Sequence, residues 1–256
     1  MSSRIAVAGG TGVIGRHVVA RVRELGHQPV VLARSTGADV ITGAGLAASI
    51  SGADALIDVT NVTTLSREKA TEFFETATRT LHAAEAAARV RHHVVLSIVG
   101  IDRVDFGYYL GKRRQEELVL GGHVPASILR ATQFHEFAAQ LLDRVGGPIA
   151  FVPKMLSQPI AAREVAEALV DLALGVPAGM APELAGPEAH QMADLVRRVR
   201  DARGSRRPIF SLRVPGPAGA AMADGELLPH GDGPRGRQTF AEWLSLSGGR
   251  ARPDSD

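Results

Sequence analysis

The stretch Arg4–Arg16, RIAVAGGTGVIGR, constrains this chain more than any other. Ile5 to Ala8 form a short apolar run that reads as a buried strand. Gly9, Gly10, Gly12 and Gly15 form a turn, and Val13, Ile14, Val18 and Val19 recur at the spacing of a helix core face. Glycine suits such a turn because the backbone must bend sharply, approach a ligand closely and let the helix pack against the strand. The helix then presents unpaired N–H groups, those of Val13 and Ile14 among them, which attract a phosphate. With 28 glycines in the chain, Gly10-x-Gly12-x-x-Gly15 carries little information alone. Between a strand pattern and a helix pattern it predicts a dinucleotide cradle.

At 256 residues the chain is long enough for one sizeable core, or a core and a smaller lobe. Its 45% hydrophobic and 22% charged residues are those of an ordinary globule, and zero cysteines exclude disulfides, thiolate metal sites and a cysteine nucleophile. The opening MSSRIAVAGG lacks the regions of a signal peptide and no apolar run is of bilayer length, so a cytoplasmic protein without membrane contact is expected. A formal charge of +2 gives no strong electrostatic signature. The densest basic segment, Arg197, Arg198, Arg200, Arg203, Arg206 and Arg207, has no interleaved aromatics and reads as a solvated face, not a nucleic-acid patch.

Along the chain, Gly26 ends the first helix and Pro29–Ala33 reads as a second strand. Only Ser35 to Ala38 precede the next apolar piece, Asp39–Thr42, too few for a parallel crossover, so the sheet is expected to stop or become irregular beyond strand two. A short helix (Ala44–Ile50), a central strand (Ala55–Thr60), and a helix over Ser66–Arg89 capped by Ser66 follow. A strand at His93–Val99, a helix at Tyr108–Leu120, a strand at Ala126–Leu129 and a helix at Phe134–Val145 continue the alternation. It predicts an α/β fold with a doubly wound parallel sheet over residues 1–150. From Gly146 proline and glycine thicken, and residues 151–256 read as a smaller substrate lobe. Helices are expected there near Arg163–Leu174, Glu188–Ala202 and Thr239–Leu246, a strand near Pro208–Val214, and a loop over Pro215–Gly236.

Ligands of an open parallel sheet sit outside the carboxyl ends of its strands. Arg34 stands at the end of strand two with no acid before Asp39. An acid there would bind the ribose hydroxyls of NAD, whereas arginine can pair with the 2′-phosphate, so NADP(H) is favoured over NAD(H). Asn61, Ser97 and Arg130–Phe134 occupy other strand ends. Tyr108 and Lys112 share a helix face one turn apart, in a chain with two tyrosines and three lysines. A nearby ammonium would lower the phenol pKa, so that Tyr108 could exchange a proton with a carbonyl polarised by Ser97. Tyr109 is a rival at three-residue spacing. His92 and His93 point opposite ways on a strand and no metal site is expected of them.

The opening motif, Arg34, VVLSIVG around Ser97, YYLGK and ILRATQF (Ile128–Phe134) together resemble the atypical short-chain dehydrogenase/reductases. Within them the chain is most similar to the NmrA-like and NAD(P)H-binding single-domain reductases. QPIAAREVAEAL (Gln158–Leu169) and TFAEWL (Thr239–Leu244) extend the resemblance over most of the chain. It implies Gly9, Gly12 and Gly15 at the pyrophosphate, Arg34 at the adenosine phosphate, and Asn61 and Ser97 beside the nicotinamide. It also implies Tyr108 and Lys112 as the catalytic couple and Ala131, Thr132 and Phe134 in the nicotinamide pocket. The expected activity is NADPH-dependent reduction of a carbonyl or enone of a small apolar metabolite by a monomer or homodimer. A non-catalytic NADP(H) sensor and a non-redox isomerase or cyclase are the alternatives.

Overall fold

The run Arg4–Ala8 (β1) sits inside the sheet because both of its faces are covered. Ile5 and Val7 join one apolar cluster, Ala6 and Ala8 another on the opposite side. The structure is a computed structural model describing residues 2–248. The chain continues through α1 (Val13–Glu24), β2 (Gln28–Leu32), a single 3-10 turn (Arg34–Thr36), α2 (Leu46–Ser49), β3 (Ala55–Asp58) and α3 (Arg67–Ala88). Next come β4 (His92–Ile98), α4 (Gly107–Leu120), β5 (Ala126–Ala131), α5 (Glu136–Arg144), β6 (Ala150–Pro153), β7 (Leu156–Ser157) and α6 (Ala162–Leu174). The remaining elements are β8 (Gly179–Met180), β9 (His190–Gln191), α7 (Met192–Ala202), β10 (Ile209–Leu212), α8 (Pro217–Asp224) and α9 (Phe240–Ser247).

Among the described residues six strands form one sheet in the order β2-β1-β3-β4-β5-β8, every neighbouring pair parallel. The chain leaves β1 for β2 on one side and returns to β3 on the other, so the strand order reverses between β1 and β3. Such a reversal opens a crevice at the carboxyl ends of the two strands. The sheet stops at β2, where the sequence left no room for a further crossover. Helices α1 and α6 cover one face, burying Val18, Val22, Val165 and Leu169 against Ile5, Val7 and Ile57. Helices α2 and α3 cover the other with Leu46, Leu81 and Ala84, and α4 adds Val119 against Val95 and Ile128. No described helix is long and apolar enough to cross a membrane.

The chain after residue 150 contributes to both cores. Strand β8 extends the main sheet and α6 packs on α1, whereas β6, α7, β10, α8 and α9 gather with α5 around Leu142, Val152, Val196, Ile209, Phe240 and Trp243. The pairing of β10 with β6 is parallel and links segments far apart in the chain, which local patterning does not reveal. Other boundaries shift for tertiary reasons. Strand β3 ends at Asp58, two residues before the expected Thr60, because the Asp58 carboxylate accepts the Thr60 N–H at 2.8 Å. Helix α5 starts at Glu136 since Phe134 is bridged to Ile160, and α7 starts at Met192 since His190–Gln191 pair with β7. The expected loop Pro215–Gly236 contains α8, which Pro217 opens and Gly225, at φ 95°, closes. The basic segment also differs from a merely solvated face. Arg203 pairs with Asp143 of α5, and Arg207 donates to the carbonyls of Leu142, Val145, Gly146 and Ile149.

His135 pins α9 to the sheet end. Its side chain is fully buried against Phe240 and Trp243, and Nε2 lies 3.1 Å from the Gln238 carbonyl, which it must reach as a donor. Burial pushes its pKa down to about 4, and burial also lowers those of His82 and His92. A histidine with a depressed folded-state pKa takes up its proton more readily when unfolded. Its contribution is therefore complete above about pH 6.5 and is lost as pH falls towards 4, on the order of 3 kcal/mol for His135. Denaturant titrations between pH 4 and 6.5 are expected to show wild-type stability falling with acidification and a shallower slope for His135→Gln. Equal slopes would contradict the assignment.

Candidate active site

The glycine turn owes its shape to two contacts. Gly9 adopts φ 78°, a left-handed conformation that side chains resist, and lies against the Val59 carbonyl and Thr60 N–H beyond β3. A Cβ on Gly15 would stand 2.1 Å from the Gly9 carbonyl oxygen and 2.6 Å from Gly10 Cα, so α1 can reach the turn only with glycine there. Gly12 differs, since its Cβ would meet nothing closer than the Gly9 oxygen at 3.4 Å. It is the N-cap of α1 and offers no side-chain acceptor, and the first turn carries no acid. The opening N–H groups of the helix, from Val13 and Ile14 onward, therefore lack a helical acceptor, an arrangement suited to an anion.

The same corner holds Asn61 and Tyr108. Thr60 touches the glycine turn, and the next residue, Asn61, accepts a hydrogen bond of 2.6 Å from the Tyr108 hydroxyl at the start of α4. Close helix packing sets this position, as a Cβ on Gly111 would fall 2.7 Å from the Ala70 carbonyl carbon of α3 and one on Gly107 would fall 2.7 Å from the Leu65 carbonyl oxygen. The Tyr108 ring stands edge-on to Phe74 of α3, with centroids 5.7 Å apart. Burial, reinforced by Tyr109, raises the Tyr108 pKa above its ordinary value. Tyr109 lies on the other side of the helix start, with Phe106 in the second core, and is raised by burial as well.

This direction is opposite to the expectation from the Tyr108–Lys112 spacing. Lys112 does lie on the inward side of α4, 4% exposed, but its ammonium donates to the Leu96 carbonyl at 2.7 Å and to Gln115 Oε1 at 2.6 Å. It also stands 4.6 Å above the Phe74 ring. Gln115 in turn donates to Asp58 at 2.8 Å, forming a buried chain from β3 through α4 to β4. The charge is thus held under the helix by groups other than the phenol. Burial lowers the Lys112 pKa to about 8, opposed by Asp58 and Glu116. Neither Asp58 nor Gln115 emerged from the sequence reading. Their signals were an acid inside the otherwise apolar ALIDV and a glutamine one helical turn beyond the lysine.

Ser97 is 2% exposed, and its hydroxyl has no hydrogen-bond partner. By strand alternation it shares a face with His93 and Val95, the face covered by α3 and α4. Ala131 ends β5 and is buried, Thr132 donates its hydroxyl to the Gln158 carbonyl at 2.6 Å, and Phe134 packs on the main core. These three shape the wall behind the strand ends through backbone and apolar contacts. Arg34 is exposed in the turn after β2, while the Asp39 carboxylate is tied to the Ile41 N–H at 2.8 Å. Residues 226–228 lie over the carboxyl end of β4. Gly100 passes directly under the Glu226 carbonyl, and Arg103 donates to the carbonyls of Glu226 and Leu228 at 2.9 Å.

No protein-family model matches the chain. Among curated proteins, the (4-alkanoyl-5-oxo-2,5-dihydrofuran-3-yl)methyl phosphate reductase of Streptomyces griseus is 33% identical over 144 residues, which is 51% of this chain and 48% of that protein. The match thus spans about half the length of that relative. Among solved structures, a short-chain dehydrogenase/reductase superfamily protein from Agrobacterium tumefaciens with bound NAD superposes with TM-score 0.68 at 20% identity, covering 96% of both chains. A dTDP-glucose 4,6-dehydratase from Streptomyces venezuelae, solved with NAD, gives 0.72 at 16% identity over 96% of this chain and 95% of that one. A UDP-glucose 4-epimerase from Stenotrophomonas maltophila with bound NAD gives 0.70 at 17% identity over 94% and 95%. The strand order, the glycine turn and these superpositions together give the chain a Rossmann-type fold that it shares with these proteins.

Proposed function

We propose that this chain is an NAD(P)-dependent oxidoreductase that uses NADPH to reduce the carbonyl, or a conjugated enone, of a small apolar metabolite. One observation carries the reading. The Tyr108 phenol stands 2.6 Å from Asn61 at the point where the strand order reverses, next to a glycine turn with an uncapped helix start. The named relatives support it in kind. Three structural neighbours were solved with NAD, and the Streptomyces griseus reductase acts, by its name, on a (4-alkanoyl-5-oxo-2,5-dihydrofuran-3-yl)methyl phosphate, so the relatives speak for the reaction type and not for the apolar character of the substrate.

A nicotinamide dinucleotide, when bound, supplies the hydride. Its diphosphate fits the open position at Gly12 and the N–H groups of Val13, Ile14 and Gly15, with Gly9 held clear by its left-handed turn. Exposed Arg34 is the group for a 2′-phosphate, because the nearest acid, Asp39, is occupied by its own loop. Tyr108, protonated throughout the neutral range as any phenol is, gives its proton to the substrate oxygen as negative charge develops there. Asn61 holds the hydroxyl towards the crevice until substrate displaces it. The charge left on Tyr108 falls on the α4 face that carries the Lys112 ammonium, which Leu96 and Gln115 keep in place. Ser97 supports the strand end from beneath, since its depth keeps it from substrate in this geometry.

Tyr108→Phe is expected to lower kcat for NADPH-dependent reduction across a panel of ketones and enones by about a hundredfold or more, with NADPH affinity unchanged. Unchanged turnover would remove the tyrosine mechanism. Arg34→Glu should weaken NADPH binding at least about tenfold more than NADH binding, read by fluorescence titration, and an equal effect would remove the cofactor preference. Gly12→Ala should keep the wild-type melting temperature while losing dinucleotide affinity. Gly15→Ala, with its Cβ 2.1 Å from a backbone oxygen, should lower the melting temperature itself.

A further inference from the structure

A second cluster of donors lies at the opposite end of the sheet. His82 and Glu85 are three residues apart on the inward side of α3, facing His93, the second residue of β4, and their ligand atoms all lie within 4.8 Å of one another. From these residues we infer a binding site for one divalent ion of the zinc type. Two imidazoles and a carboxylate are a donor set that zinc takes, leaving a fourth position for water.

The burial of the cluster argues for a ligand. Glu85 and His93 are both 0% exposed. Oε1 of Glu85 lies 2.7 Å from Nδ1 of His93, yet neither carboxylate oxygen and neither ring nitrogen has a hydrogen bond of normal geometry. A fully buried carboxylate without aligned donors is costly, and coordination to a cation would satisfy it. Bonds of about 2.0–2.2 Å put ligands on one zinc roughly 3–3.5 Å apart, so small side-chain rotations bring all three donors onto one ion. The His82 ring stands edge-on to His93 at 5.4 Å between centroids. It is half-buried and provides the route to solvent. Gly122 makes room for it, since a Cβ there would fall 2.7 Å from the ring carbon Cε1.

Strand geometry puts this cluster about 13 Å along β4 from Ser97, so the ion would take no part in the proposed reduction. Its effect is to clamp α3 onto β4. His92, the strand neighbour of His93, turns its ring the other way to Ser127 at 2.9 Å. The partners of His93 come from the preceding helix.

The test uses tag-free, chelator-stripped full-length protein titrated with Zn2+ by calorimetry and with Co2+ by visible absorption. One equivalent of Zn2+ is expected to bind and raise the melting temperature, and Co2+ is expected to show the intense bands of a low-coordinate site. Glu85→Gln and His82→Asn should each weaken Zn2+ binding by about a hundredfold or more, and His27→Asn at the surface should not. His82 is only half-buried, so His82→Asn together with the wild-type Co2+ spectrum decides the matter if Glu85→Gln does not fold. Absence of binding at micromolar Zn2+, an octahedral aqua-type Co2+ spectrum, or unchanged affinity in His82→Asn would overturn the inference.

Discussion

The contact between the Cα of Gly15 and the backbone of Gly9 and Gly10 is the constraint on which the rest of the molecule turns. It brings the start of α1 directly over the end of β1, leaving the N–H groups of Val13 and Ile14 without side-chain competitors. Because Gly9 is also wedged against Val59 and Thr60, the same contact aligns the end of β3 with the turn and so places Asn61. Tyr108 then meets Asn61 only because α4 lies close on α3, with Gly107 and Gly111 where any side chain would strike backbone. The site is thus assembled by close backbone approaches before any charged group contributes.

The two faces of the sheet are built on different physics. Towards α1 and α6 the filling is mostly aliphatic, with Phe134 at its edge and His92 bonded to Ser127 as its buried polar pair. Towards α3 and α4 the core contains Asp58, Lys112 and Gln115 near the carboxyl ends of the strands, with Glu85 and His93 towards the amino ends. The Lys112 ammonium is shared among a carbonyl, an amide oxygen and an aromatic ring, and the Asp58 carboxylate between Gln115 and a backbone N–H. Buried charges survive when such partners are present, and a network of this kind specifies one register of α4 against β3 and β4. The raised pKa of Tyr108 belongs to the same environment. Desolvation acts on the phenol directly, while the cation one turn away is engaged elsewhere.

The second core is held together by polar staples as well as by apolar contact. Arg203 and Arg207 tie α7 and the segment after it to α5, Glu136 accepts from the Trp243 indole, and Arg103 fastens residues 226–228 above the carboxyl end of β4. Segments distant in the chain thereby meet at the rim of the crevice.

Local pattern was sufficient for the βα corner at Arg4–Arg16, for the alternation up to α5, for the Ser66 cap of α3 and for the truncation of the sheet beyond β2. Each follows from periodicity, capping chemistry or chain length over a few residues. The capping box of Thr239 and Glu242 is of the same kind. Only the tertiary structure decided where the Lys112 ammonium goes, that Ser97 turns inward, that α6 returns to the first sheet, and that His93 pairs with Glu85 and not with its neighbour. The reason is physical. Backbone geometry repeats over three or four residues and is written locally, whereas the partner of a buried charge or the second strand of a parallel pair comes from wherever folding brings the chain.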